Sequence, residues 1–260
     1  MLANYHTHTA LCRHATGTEE EYIAAALRTG FRVLGFSDHT PWAYATPGFI
    51  SRIRMLPEEL DVYVHTLRTL REKYADRLKL YIGLEAEYFP AYMDWLLEQK
   101  ERLGIDYLIF GCHYDTTDET GHYFGRSTEA SQILRYAECA VAGMETGAYR
   151  YLAHPDLYLH HYPAFDKTAE EVAHTLCRAA VQHDLPLEYN LAGLTCRPAG
   201  GLGYTTRAFW QVAAQYPVKA IIGCDAHAPE ELEQGAAIAQ ARTYLASLGI
   251  SVLDALPGLE

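Results

Sequence analysis

Tyr107-Leu108-Ile109-Phe110-Gly111-Cys112-His113 is the stretch on which the fold turns. Four large apolar residues follow one another with no polar alternation, so neither face of this strand is suited to water. Strands of that kind belong to parallel sheets covered by helices. Ala220-Ile221-Ile222 reads the same way. Parallel neighbours need a crossover between them, usually a helix, and the rest of the chain supplies one each time. Strands are expected at 2–6, 32–38, 78–85, 107–113, 151–154, 185–190 and 218–225. Helices are expected at 18–29, 57–75, 91–103, 129–146, 167–183, 206–215 and 230–248. Thr18 and Glu21 form a capping box at the head of the first helix, and Gly30 stops it. Pro57 opens the second.

Seven βα units give an α/β chain, either an open doubly wound sheet or a barrel of TIM type. No G-x-G-x-x-G follows the first strand and there is no Walker loop, which weakens a nucleotide-binding reading. The chain has no internal repeat, low-complexity segment or linker. Its longest irregular stretch, 40–56, is expected to form a loop over the site.

The last residue of the opening stretch, His113, is part of a wider pattern. Six of the seven expected strands finish at, or just before, a residue type that binds metal: His6 and His8, Asp38-His39, Glu85, His113, His154, and Asp225 with His227. In a parallel barrel these ends converge on one face, where active sites form. His6 and His8 are two residues apart in an extended segment, so both imidazoles point the same way. Asp225 and His227 repeat that spacing. Imidazole and carboxylate together suit Zn²⁺, Fe²⁺ or Mn²⁺. The absence of cysteine from this set argues against a closed structural zinc site. His-x-His alone is a weak motif, and a single strand histidine is more often a satisfied core residue than a ligand. Thirteen histidines placed at random, however, would rarely set six of them at, or just beyond, strand ends. His65, His122, His160, His161, His174 and His183 fall on helices or loops and are assigned to the surface or to supporting positions. Cys112 and Cys224 point away from their ligand-type neighbours and read as packed small residues.

Composition narrows the partners. With Asp and Glu numbering 33 against 21 Lys and Arg, the net charge of −12 argues against a nucleic-acid surface. A small anionic substrate remains compatible, because bound metal ions reverse the local field. No apolar run is long enough to span a bilayer, and the opening from Met1 to His6 leaves no room for a signal peptide. Six cysteines without a C-x-x-C pair read as reduced thiols, so a cytoplasmic protein with no membrane partner is expected.

In order and separation, His6-Thr7-His8 with His14, Ser37-Asp38-His39, Gly83-Leu84-Glu85, Gly111-Cys112-His113, Ala153-His154-Pro155 and Asp225-Ala226-His227 resemble the motifs of the PHP phosphoesterases across nearly the whole chain. The run from His6 to His14, the Thr18-Glu-Glu-Glu helix start and Ser37-Asp38-His39-Thr40-Pro41 look like the histidinol-phosphatase branch. The resemblance implies a distorted TIM-like (β/α)7 barrel, one PHP domain over residues 1–260, and up to three divalent metal ions (Zn, Fe or Mn). By position, His6, His8, Glu85 and Asp225 would hold one ion. Glu85 would bridge to a second held by His113 and His154, and His14, His39 and His227 would hold a third. Glu85 is preferred to Glu87 because it occupies the Gly-x-Glu position, although Glu87 would point the same way if the strand continued. Asp38 would orient an imidazole.

Arg197, in a segment resembling the family's phosphate-binding arginine segment, and Arg126, in a polar loop, are the candidate phosphate contacts. Gly200-Gly201-Leu202-Gly203 departs from the branch pattern. Glu85, Asp225 and His113 are the expected catalytic group, acting on L-histidinol phosphate through a hydroxide shared by two ions. The alternatives are another phosphorylated substrate or an inert metal-binding barrel. A barrel hydrolase of C–N bonds often carries a modified lysine at a strand end, and here that position offers His113 instead.

Overall fold

The alternation of strand and helix is present in the computed structural model, which describes residues 2–260; Met1, at the head of the opening stretch, lies outside the described residues. The strands are β1 (Ala3–Asn4), β2 (Val33–His39), β3 (Lys79–Ala86), β4 (Tyr107–Phe110), β5 (Leu187–Asn190), β6 (Lys219–Gly223) and β7 (Ser251–Val252). The helices are α1 (Glu19–Thr29), α2 (Leu60–Tyr74), α3 (Met93–Leu103), α4 (Ala130–Glu145), α5 (Lys167–Gln182), α6 (Arg207–Ala213) and α7 (Gly235–Ser247). The strands form two sheets, in the orders β1-β2-β3-β4 and β5-β6-β7. β1 with β2, β2 with β3, β5 with β6 and β6 with β7 all pair in parallel. Two compact units result. The first runs up to Ile109 and adds Cys224–Gly235 and Asp254–Glu260; the second is Phe110–Gly223 with Ala236–Leu253.

In the first unit every residue of β2 is buried, as its apolar run requires. Tyr107 crosses this sheet: its hydroxyl donates to the Tyr5 carbonyl at 2.7 Å and lies 3.2 Å from that of Phe36. A Cβ on Gly35 would stand 2.2 Å from the Tyr107 hydroxyl, and one on Gly83 2.4 Å from its ring. The glycine of the Gly-x-Glu motif is therefore explained by packing, since only a residue without Cβ admits the ring. α2 buries Leu60, Tyr63, Val64, Leu67 and Leu70, a single helical stripe. The capping box of α1 is formed as expected: Glu21 N donates to Thr18 Oγ1 at 3.3 Å and Thr18 N to Glu21 Oε2 at 2.7 Å. Gly30, at φ 88°, closes that helix in the left-handed conformation that glycine tolerates best.

In the second unit Leu152 forms parallel bridges to Phe110 and to Leu187, and α4 packs on α5. Several expectations are corrected here. The strand expected at 151–154 is reduced to the bridge at Leu152. His154 leaves the extended region at φ 29°, Pro155 follows, and a short 3-10 turn takes over at Leu157–Leu159. The strand expected at 107–113 ends at Phe110. The last helix is split into a turn at Pro229–Leu232 and α7. β7 was not expected; at two residues it is too short to show a period. Among the described residues no helix is long and apolar enough to cross a membrane.

Candidate metal centre

The centre in the first unit is assembled where β1 ends. Asn4 Nδ2 donates to Thr7 Oγ1 at 2.7 Å and to the His6 carbonyl at 3.1 Å, while its Oδ1 accepts Cys224 N at 2.8 Å. Thr7 bridges to Ala226 in parallel, with His8 N donating to Ala226 O at 2.9 Å. The two i, i+2 pairs, His6 with His8 and Asp225 with His227, therefore run alongside each other. Asp225 Oδ1 lies 3.3 Å from His6 Nε2 and 3.2 Å from His8 Nε2. The β2–β3 register sets His39 opposite Glu85. Glu85 Oε2 is 3.0 Å from His39 Nδ1, 3.5 Å from His6 Nε2 and 3.6 Å from His8 Nε2. The donor atoms of His6, His8 and Glu85 lie within 4.8 Å of one another.

A second convergence in the same unit joins His14, His39 and His227, again within 4.8 Å. His14 Nδ1 is 2.8 Å from the Cys12 carbonyl and His227 Nδ1 is 3.1 Å from that of Asp225. Those contacts fix both rings with Nε2 directed away from the backbone, the usual support of a metal-binding imidazole. His227 Nε2 is buried and makes no hydrogen bond. A buried ring nitrogen in that state normally has a partner, and a cation supplies one, so the residues present fit a metal.

The electrostatics agree. Burial opposes ionisation of Asp225, but the neighbouring His6 and His8 outweigh it and hold the carboxyl well below the usual range. Burial also opposes protonation of His8, yet the neighbouring Asp225 and Asp38 carboxylates raise it. His227 is pushed down to about 3 by burial and by the His8 ring stacked 4.0 Å away, so it is a neutral donor. Asp38 lies 3.5 Å from His8 Nδ1, and its other oxygen accepts Thr9 N at 3.2 Å and the Thr9 hydroxyl. Asp38 thus lies beside one of the imidazoles it was expected to orient.

Glu87 is separated from Glu85 by the end of the strand. β3 stops at Ala86, and the Glu87 carboxylate accepts from Arg54 and from Trp42 Nε1 instead. Reasoning from sequence missed Cys12, whose sulfur lies within 4.8 Å of the donor atoms of His8 and His227. Its only sequence signal was its place between His8 and His14.

In the second unit, His113 Nε2 and His154 Nε2 are 3.3 Å apart, and both residues are buried. Glu188, also not foreseen, accepts His154 N at 3.0 Å and Asn190 Nδ2 at 2.8 Å. His154 at φ 29° and Asp225 at φ 51° are both non-glycine residues in the left-handed region. Strain of that kind persists only where surrounding contacts over-determine it, and it clusters at functional sites. The Tyr204 ring stands edge-on to His154 at 6.2 Å. Its segment is tied down by Asp156, which accepts Thr205 N at 2.9 Å and Thr206 N at 2.6 Å. Arg197 is exposed and lines a cleft of about 510 Å³ with Tyr189, Arg207 and Tyr244. Arg126 is exposed on the turn Phe124–Arg126. The nine expected ligands are thus gathered in sets, seven in the first unit and two in the second, and the arginines stay on exposed loops.

The chain is similar to known proteins. The probable histidinol-phosphatase of Deinococcus radiodurans is 30% identical over 240 residues, covering 89% of this chain and 88% of that protein. The histidinol-phosphatase of Bacillus subtilis is 25% identical over 247 residues, covering 85% and 92%. Among solved structures, the histidinol phosphate phosphatase of Lactococcus lactis, complexed with zinc, L-histidinol and phosphate, superposes with a TM-score of 0.72 at 18% identity. That match covers 97% of this chain and 95% of the other, and gives the fold as an α/β, distorted TIM-like barrel of PHP type. The model of the PHP domain matches residues 4–192, and the chain belongs to that family.

Proposed function

We propose that the chain is a metal-dependent phosphomonoesterase that hydrolyses L-histidinol phosphate to L-histidinol and phosphate. The observation that carries this reading is the convergence of His6, His8, Glu85 and Asp225, buried and within a few ångströms, in a chain whose relatives bear that activity in their names. The zinc, L-histidinol and phosphate held by the Lactococcus lactis protein support both the substrate and the cofactor. The family match spans residues of both units, which supports treating the chain as one PHP domain.

His6, His8, Glu85 and Asp225 would hold one divalent ion, and His14, His39 and His227 another. His113 and His154 would be ligands within the second unit. Such ions, when bound, acidify water toward neutral pH and neutralise charge on phosphoryl oxygens. The chain's own contribution is to place and charge the donors. Asp225 and Glu85 supply fixed negative charge. Asp38 orients His8, and the carbonyls of Cys12 and Asp225 orient His14 and His227. Arg197 and Arg126 are the proposed phosphate contacts, since a guanidinium fork matches two phosphate oxygens. The partner is a small phosphorylated molecule rather than a nucleic acid or a membrane, in keeping with the net charge of −12. Six cysteines without a C-x-x-C pair support a cytoplasmic location.

Steady-state phosphate release tests the substrate. For the zinc- or manganese-loaded protein, kcat/KM for L-histidinol phosphate is expected above roughly 10⁴ M⁻¹s⁻¹ and well above the values for p-nitrophenyl phosphate and nucleoside monophosphates. A preference for one of the latter would remove histidinol phosphate as the substrate and leave the phosphoesterase. No release from any ester at full metal loading would favour an inert metal-binding barrel.

A further inference from the structure

Arg54 and Glu87 form an ion pair deep in the first unit, with side chains 1% and 2% exposed. Arg54 Nη2 donates to Glu87 Oε1 at 2.9 Å and Nη1 to Oε2 at 3.2 Å, a fork-to-fork geometry. Trp42 Nε1 donates to Glu87 Oε2 at 2.8 Å. Arg54 lies in the irregular stretch 40–56, which has no ladder of its own to hold it in place. Burying two charges is costly, so this pair calls for an explanation other than stability.

The contacts on either side supply one. Arg54 Nη1 also donates to the Thr40 carbonyl at 2.9 Å. Thr40 in turn donates twice to the Glu85 carbonyl, from N at 2.9 Å and from Oγ1 at 3.0 Å. Thr40 directly follows His39, and Glu87 lies two residues beyond Glu85. The pair therefore ties together the chain immediately after both metal-ligand residues, across the β2–β3 register that sets them opposite each other.

We propose that the Arg54–Glu87 pair, with Trp42, is a latch that positions Glu85 and His39 for metal binding. The proposal rests on the metal-centre reading given above. Arg54, Glu87 and Trp42 are positioning residues, acting through Thr40 and the backbone.

The test separates positioning from stability. Removing one charge strands the other, so the informative variant is the double R54M/E87Q, in which the side-chain amide oxygen introduced by E87Q still accepts from Trp42. Replacing both members of a buried pair is often neutral or stabilising. The double variant is expected to keep the wild-type Tm. Its Zn²⁺ affinity, read by competition with a chromophoric chelator, and its kcat should fall roughly 10- to 100-fold, the range typical of contacts that support metal ligands, with KM little changed. Wild-type affinity and kcat in a variant of wild-type Tm would overturn the latch. If the double variant does not fold, R54K decides the matter: it keeps the charge and loses the fork. It should show the same fall in affinity, and wild-type affinity with wild-type kcat would overturn the proposal. E85Q is run alongside. If it retains full metal and turnover, the metal-centre reading itself fails, and that outcome is distinct from failure of the latch.

Discussion

Glu85→Gln is expected to lower kcat by on the order of 10²- to 10³-fold and to reduce the metal retained after gel filtration. The substitution keeps the shape and removes one negative charge. That charge sits 3.0 Å from His39 Nδ1 and 3.5–3.6 Å from His6 and His8, so it serves three imidazoles together. Gln offers a neutral amide oxygen in its place, a far weaker ligand for a divalent cation. The fold should survive, because Gly83 and Tyr107, which set the path of β3, are untouched. Circular dichroism with metal analysis checks both halves. Full metal content with near-wild-type kcat would remove Glu85 from the centre.

Asp225→Asn is expected to have an effect of similar size, on the order of 10²- to 10³-fold in kcat, for a related reason. Asp225 Oδ1 faces both His6 and His8 at 3.2–3.3 Å, and its ionised state is favoured by them against the effect of burial. Asn tolerates the left-handed backbone at φ 51° better than most residues, so the change tests charge more than strain. Asp225 also favours the protonated form of His8, so the metal-free variant should hold the His8 proton less tightly. Because the two carboxylates serve the same imidazoles, the double variant E85Q/D225N should cost much less than the product of the single effects. Multiplicative losses would place them in separate sites.

The candidate centre was legible because its candidate ligands are polar residues at the ends of apolar strands. Imidazoles recurring at the exits of β1, β2 and β6 read as a metal-binding set more readily together than singly, and the i, i+2 spacing of His6 and His8 needs only an extended chain to align the donors. The choice between Glu85 and Glu87 could not be made that way, since both have the parity of one face. From sequence the preference for Glu85 rests on its Gly-x-Glu position; in the structure β3 ends before Glu87, which Arg54 reaches from an irregular stretch with no period to read. Glu188 and Asp156 were missed for a similar reason. Their roles are hydrogen bonds to the backbone of His154 and of Thr205 and Thr206, contacts made only in three dimensions. The long strands and the helices with clear stripes or caps, such as α1 and α2, were placed closely. The failures were the shortest elements: the bridge at Leu152, cut off by the turned backbone of His154, and β7.

The most direct measurement is turnover of L-histidinol phosphate as metal is removed and restored. The protein is stripped with a chelator, shown to remain folded, and titrated with Zn²⁺ or Mn²⁺ while phosphate release is followed. The account predicts negligible release from the stripped protein and a return of activity that saturates at a small whole number of ions per chain. Undiminished turnover by fully stripped, folded protein would contradict it.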